Sequence, residues 1–275
     1  MKRFLKALKG TYSALIFLFL YAPIAVLIVF SFNESKSRGA WGGFSLKWYE
    51  ALLRNSEIMQ SLFNTLLIAV LASLIATVIG TAAAIGINNM RKGMQNLLMN
   101  ISYLPVLSAD IVTGVSLLIL YMFIGIPLGR VSLLLSHITF NIPYVILSVM
   151  PKLKQMNRYT YEAALDLGCT PMQAIWKVVL PEIMPGVVTG AILAFTLSID
   201  DFVISFFTTG AGVNTLSITI YSMVRRGIKP EINALSSIMF VVVLLLLFVV
   251  NIRSTRDAIK QERQAHSNRS LRSVR

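Results

Sequence analysis

Residues 162–181 read EAALDLGCTPMQAIWKVVLP, a mixed polar stretch set between two long apolar runs. Connections between helices are usually only a few residues long, so an insert of this size is a working element rather than a plain link. Tyr159 to Leu167 consists of good helix formers and ends at Gly168, a residue suited to close a helix. Pro171 then suits the first turn of a second helix running through Lys177. The pattern predicts two short helices joined by a Gly-centred turn. Glu162 and Asp166, four residues apart, share one helical face, and the small Ala163 and Ala164 would let another protein approach closely. The insert reads as a docking surface.

Outward from it, the chain is strongly apolar. Of 275 residues, 56% are hydrophobic and only 13% charged, where soluble domains carry roughly a quarter charged residues. Apolar segments at 12–32, 61–87, 97–124, 131–151, 183–208 and 233–252 approach or exceed the ~20 residues that an α-helix needs to cross a bilayer. The fold class is therefore all-α: a polytopic membrane protein with six predicted spans, and a soluble enzyme is excluded. The core, 1–252, reads as one transmembrane domain with a loop at 152–182. A basic tail, 253–275, follows it.

Charge distribution sets the expected orientation. Counting Lys and Arg on alternate sides places 17 with the N-terminus, 88–96, the insert and the tail, against 8 on the other side. Cationic residues accumulate in the cytoplasm, so both termini and the insert are expected there. The net charge of +13 follows from the same rule and gives no reason to invoke nucleic acid. The run 12–32 is too long for the core of a cleaved signal and reads as a retained first span. On the outer side, Trp41, Trp48 and Tyr49 suit an interfacial turn and a short amphipathic helix with aromatic anchors. Arg225, Arg226 and Lys229 form a basic outer group, either a solvated loop or a contact for an extracytoplasmic binding protein. The single cysteine, Cys169, rules out an intrachain disulfide and any multi-cysteine metal site.

The insert resembles the signature loop of bacterial ABC importer permeases, the binding-protein-dependent inner-membrane component family. Its pattern is Glu-Ala-Ala, three residues, Gly, nine residues, Ile, one residue, Leu-Pro. Glu162, Ala163, Ala164, Gly168, Leu180 and Pro181 match at the right spacing, with Val178 in place of Ile. The resemblance implies the type I importer permease fold, with the loop forming coupling helices that seat in a groove on an ATPase subunit. The chain lacks any Gly-Lys dipeptide, so it has no phosphate-cradling loop of its own. It is expected to bind no cofactor, with ATP and Mg carried by the partner ATPase.

Ionisable residues inside spans cost roughly 2.5–3.5 kcal/mol on insertion scales, so each is a functional candidate. Three acids qualify: Asp110, Asp200 and Asp201, while no Lys or Arg lies in the six spans. A cationic substrate would supply the missing partner. At ~1.5 Å per residue, continuous helices would put Asp110 about 20 Å and Asp200 about 26 Å above the cytoplasmic entry. Tyr21, just before Pro23, would lie about 14 Å up and offer an aromatic face and a hydroxyl. On a continuous fifth span, Ser198, Asp201, Ser205 and Thr208 form one polar stripe, which favours Asp201 over Asp200 for the path. His137 and Asn141, four apart on the fourth span, read first as packing partners.

The stretches SADIVTGVSLLIL, SLLLSHITFNIPYVIL, AFTLSIDDFVISFFTTG and IYSMVRRGIKPEINAL look like the corresponding parts of permease subunits of spermidine/putrescine importers. That resemblance covers nearly the whole chain before Arg253. It implies that Tyr21, Asp110 and Asp200 face a route for polyamine, that a second, similar permease completes the route, and that a pair of ATPases and a periplasmic polyamine-binding protein complete the machine in the bacterial inner membrane. Other classes fit less well. The acids lack the Tyr-Asp and Gly-x-Gly-Asp contexts of intramembrane aspartyl proteases, and there is no H-E-x-x-H. A stand-alone secondary transporter leaves the signature loop unexplained. An ABC permease for iron(III) remains an alternative, whereas anionic cargo such as sulfate conflicts with unpartnered acids.

Overall fold

The computed structural model describes residues 2–35, 40–227, 230–242 and 244, and is helical throughout apart from one isolated bridge between Asn33 and Phe44. The helices are α1 (Lys2–Ser31), α2 (Lys47–Arg54), α3 (Ser56–Asn88), α4 (Lys92–Leu107), α5 (Asp110–Ile124), α6 (Arg130–Gln155), α7 (Arg158–Asp166), α8 (Pro171–Ala174), α9 (Leu180–Asp200), α10 (Val203–Thr208), α11 (Leu216–Arg226) and α12 (Glu231–Val242). Among the described residues, four helical stretches are long and apolar enough to cross a membrane: Gly10–Ser31, Ser56–Asn88, Arg130–Gln155 and Pro171–Asp200. Helices α4 and α5 qualify together but are bent by 105°. Only the start of the expected sixth span, 233–252, falls within α12. The rest of it and the tail 253–275 lie outside the described residues.

Two compact units divide the chain: Met1–Ser56 with Met223–Arg275, and Glu57–Ser222. In the first, Asn33 organises the turn after α1. Its Nδ2 donates to Ala40 O at 2.9 Å, and its Oδ1 accepts from Gly42 N at 2.8 Å and Ser35 N at 3.2 Å. Trp48 Nε1 donates to Asn33 O at 2.6 Å, so Trp48 is buried in its own unit and is not the interfacial anchor the sequence suggested. Trp41 does remain exposed, set edge-on to Phe30.

The second unit is held together by small residues. Lipid tails are as apolar as leucine, so helices in a membrane associate chiefly by close packing, which small side chains permit. Ala72, Ala76, Gly80 and Ala84 recur every four residues along α3 and are buried; Gly186, Gly190, Ala194 and Ser198 do the same on α9. Both stripes reach α6. A Cβ on Gly80 would stand 2.7 Å from Val145 Cβ, and one on Gly190 would stand 3.2 Å from Val145 Cα. Around this contact Ala84, Ile87, Val145, Ile146, Val149, Ile183 and Ala194 form the main core. A smaller core, Leu117, Tyr121, Phe140 and Ile204, joins α5, α6 and α10.

Two expected spans are broken. Residues 97–124 do not form one straight helix: α4 stops at Leu107, Ser108 and Ala109 are extended, and α5 starts at Asp110. Ser108 turns back on the previous turn, its N and Oγ both bonding Leu104 O, which closes α4. Residues 183–208 are likewise interrupted, because α9 ends at Asp200 and Asp201 has extended backbone (φ −63°, ψ 125°) before α10. The stripe Ser198, Asp201, Ser205, Thr208 therefore does not run along one helix.

Candidate functional site: acids at two helix breaks and a capped docking element

Asp110 is the first residue of α5 and is exposed. Its carboxylate sits at the positive end of a helix dipole, where the first N–H groups lack intrahelical partners, so the anion is stabilised without a cation. The 105° bend falls immediately before Asp110, so α5 leaves it in a new direction from α4. Asp110 lies one turn before Gly114, and Gly114 packs on α10 so closely that a Cβ there would be 3.5 Å from Val203 O and Ile204 Cα and 3.1 Å from Phe207 Cδ2. Asp200 lies three residues before Val203. The Gly114 contact joins α5 to α10, and each acid stands at a helix end a few residues along the chain from it. Tyr144 of α6 packs on the smaller core, its ring edge-on to Phe140 with centroids 5.1 Å apart. Tyr144 carries no sequence motif and shares its span with the polar His137 and Asn141.

The two adjacent aspartates differ. Asp200 is exposed. Asp201 has a side chain only 6% exposed, and its two oxygens accept from backbone N–H groups at the start of α10: Ile204 N at 3.2 Å and Ser205 N at 2.7 Å. It caps the helix. His137 Nε2 lies 3.6 Å from Asp201 Oδ2 and 3.0 Å from Ser205 Oγ, and the imidazole is 2% exposed. The preference for Asp201 over Asp200 rested on an unbroken helix, and the break reverses their exposures. Asn141 donates to Ser198 Oγ at 2.7 Å, so both His137 and Asn141 are packing partners, as their spacing suggested. Tyr21 belongs to the other unit; it is 53% exposed and stacks on Phe17, with centroids 6.2 Å apart.

The insert forms the two helices expected, and the caps explain why. Asn157 Oδ1 accepts from Tyr159 N at 3.1 Å and starts α7. At its end, Gly168 N bonds Leu165 O and Cys169 N bonds Ala164 O, with Gly168 at φ +85°; this paired closure needs a left-handed residue in that place. Thr170 and Gln173 then cap α8 reciprocally, with Pro171 in the first turn. One feature differs from expectation. The second helix does not stop at Lys177 but runs into α9 through a π-helical turn, Ile175–Val179, in which Leu180 N bonds Ile175 O. The element is thereby rigidly continuous with a membrane-spanning helix, from Pro171 to Asp200.

Glu162, Ala163, Asp166 and Pro181 are exposed, whereas Ala164 is buried against its own chain and cannot contact a partner. Leu180 packs against the main core. Tyr159, Leu167, Met172 and Trp176 add exposed apolar surface that the motif did not reveal. A cavity of about 510 Å³ opens behind the element, lined by Asn88, Asn89, Lys154, Tyr161 and Glu162 among others, where the ends of α3 and α6 meet α7 and the π turn. Of the basic outer group, Arg225 is exposed at the end of α11, and Lys229 lies outside the described residues.

Comparison with known proteins agrees with this architecture. Residues 76–255 match the family described as binding-protein-dependent transport system inner membrane component. The spermidine/putrescine transport system permease protein PotC of Escherichia coli K12 is 40% identical over 242 residues, covering 88% of this chain and 92% of that protein. The putrescine transport system permease protein PotI of the same organism is 40% identical over 230 residues, 81% of this chain and 82% of PotI. Among solved structures, a bacterial ABC transporter involved in import of the acidic polysaccharide alginate superposes with a TM-score of 0.71 over 93% of this chain and 96% of the other, at 19% identity. The chain belongs to the binding-protein-dependent transport system inner-membrane component family, the permease subunits of ABC importers.

Proposed function

We propose that this chain is one permease subunit of an ATP-driven importer of polyamines, with spermidine and putrescine as its substrate class. The observation that carries the reading is the pair of exposed acids, Asp110 and Asp200, at two helix breaks within apolar segments that hold no Lys or Arg. The likeness to PotC and PotI supports the same cargo. Carboxylates retained in a membrane at such cost are used, and a flexible polycation is the complementary ligand. Tyr21 contributes a cation–π face from the first span.

In this reading a second, similar permease supplies the other wall of the route, and a periplasmic binding protein delivers the polyamine. The α7–α8 element docks in a groove on an ATPase pair that carries ATP and Mg, with Glu162, Ala163, Gly168 and Pro181 at or near the contact. Closure of the ATPases pushes on α8, and its continuity with α9 carries that displacement to Asp200. Both termini and the docking element face the cytoplasm of a bacterial inner membrane, a reading that the distribution of Lys and Arg supports. The chain itself performs no hydrolysis.

The test is polyamine uptake by the assembled transporter carrying Asp110→Asn or Asp200→Asn. Each loses about tenfold in uptake rate while the complex still assembles, the cost of removing a charge partner from a desolvated cation. Unchanged uptake in both would remove the acids from the route.

A further inference from the structure

The break after Asp200 has no steric cause. Residues 199–205 read IDDFVIS, without Gly or Pro, and Asp201 has ordinary extended dihedrals. The Asp201 carboxylate caps α10 from within this segment, and α6 holds the two helices from outside it. Ser132 Oγ donates to Thr208 O at 2.8 Å, His137 Nε2 meets Ser205 Oγ at 3.0 Å beside the Asp201 carboxylate, and Asn141 Nδ2 donates to Ser198 Oγ at 2.7 Å. Numbers rise along α6 as they fall along its partners, so this antiparallel ladder straddles the break. Asn141 grips α9 two residues before Asp200; His137 and Ser132 grip α10 after it. Ser132, His137, Asn141, Ser198, Ser205 and Thr208 are all buried. In so dry a setting a polar contact that slips leaves groups with no alternative partner, so the ladder fixes one geometry.

We propose that His137 is the positioning residue for Asp200. By holding Ser205 and Asp201 through Nε2, it sets where α10 begins, hence where α9 must end and where the exposed Asp200 carboxylate is presented to a cationic solute. This rests on the reading of Asp200 as lining the route. His137 works through one nitrogen, since Nδ1 has no partner among the described residues. Glutamine places its amide near the position of Nε2, and asparagine near that of Nδ1, so the two amides separate positioning from mere polarity or bulk.

The experiment uses the assembled transporter in proteoliposomes with its binding protein, and spermidine and putrescine as the probes. His137→Asn lowers transport about five- to tenfold, His137→Gln stays within about twofold of the parent, and both assemble in parental yield. In a double-mutant cycle, His137→Asn added to Asp200→Asn costs no more than about a further twofold, because the two act through one carboxylate. A purely structural role for His137 would give additive losses. Parental transport by His137→Asn, equal losses with Gln and Asn, failure of His137→Asn to assemble, or full additivity overturns the inference. Parental transport by Asp200→Asn alone overturns instead the reading on which it rests.

Discussion

Gly80 of α3 meets Val145 of α6 at a distance that admits no side chain: a Cβ on Gly80 would lie 2.7 Å from Val145 Cβ and 3.2 Å from Ile142 O. Gly190 reaches the same valine from α9. Val145 is thus the point where three long helices touch, at 0% exposure. Gly80→Leu is expected to separate α3 from α6 and to lower the stability of the detergent-solubilised chain by about 2 kcal/mol or more, in the range of core overpacking. A thermal melt measures it, and an unchanged midpoint would refute the contact.

The neighbouring aspartates should separate stability from transport. Asp201→Ala removes both acceptors at the start of α10 and is expected to cost about 1–2 kcal/mol, the usual loss for a helix cap. Asp200→Ala, exposed and without such contacts, should change stability by less than about 0.5 kcal/mol and still slow polyamine uptake. Paired melting and uptake measurements on the two variants check this; equal melting shifts would contradict the assignment of the cap.

Gly168 tests the docking element. At φ +85° a side chain is strained by roughly 1–2 kcal/mol, and Gly168→Asp adds a charge two residues from Asp166. The turn between α7 and α8 is expected to shift, so ATP hydrolysis stimulated by loaded binding protein should fall at least severalfold or the ATPase should dissociate. Normal ATP-driven uptake in that variant would sink the docking role.

Tyr21 is expected to act through its ring. Tyr21→Phe keeps the cation–π face and should retain most uptake, whereas Tyr21→Ala should lose it, a difference of about 0.5–2 kcal/mol. Initial rates of spermidine uptake distinguish the two, and identical behaviour would remove the ring from the route.

The signature loop was legible because its structure is local. Gly168 in a left-handed closure, Pro171 in a first turn and an Asn or Thr before each helix depend on residues a few positions apart, and those signals can be read from the chain. The membrane class and the extents of the first, second and fourth spans were legible for the same reason, since apolar length alone sets them.

What the sequence by itself determined is the type of protein, the two short helices of the 162–181 insert and the presence of costly acids in apolar segments. Only the tertiary structure decided how those acids are placed. Ser108–Ala109 and Asp200–Asp201 looked like helix interior, because apolar residues flank both. Local bonds close both breaks, Ser108 on Leu104 and Asp201 on α10, and contacts distant along the chain hold them: Gly114 on α10, and Ser132, His137 and Asn141 of α6 on either side of the second. A carboxylate twinned with another in the sequence became a buried cap in one case and an exposed charge in the other. The donors to Asp201 are local, three and four residues on, but His137, which packs against it, comes from α6, and no local pattern contains that contact.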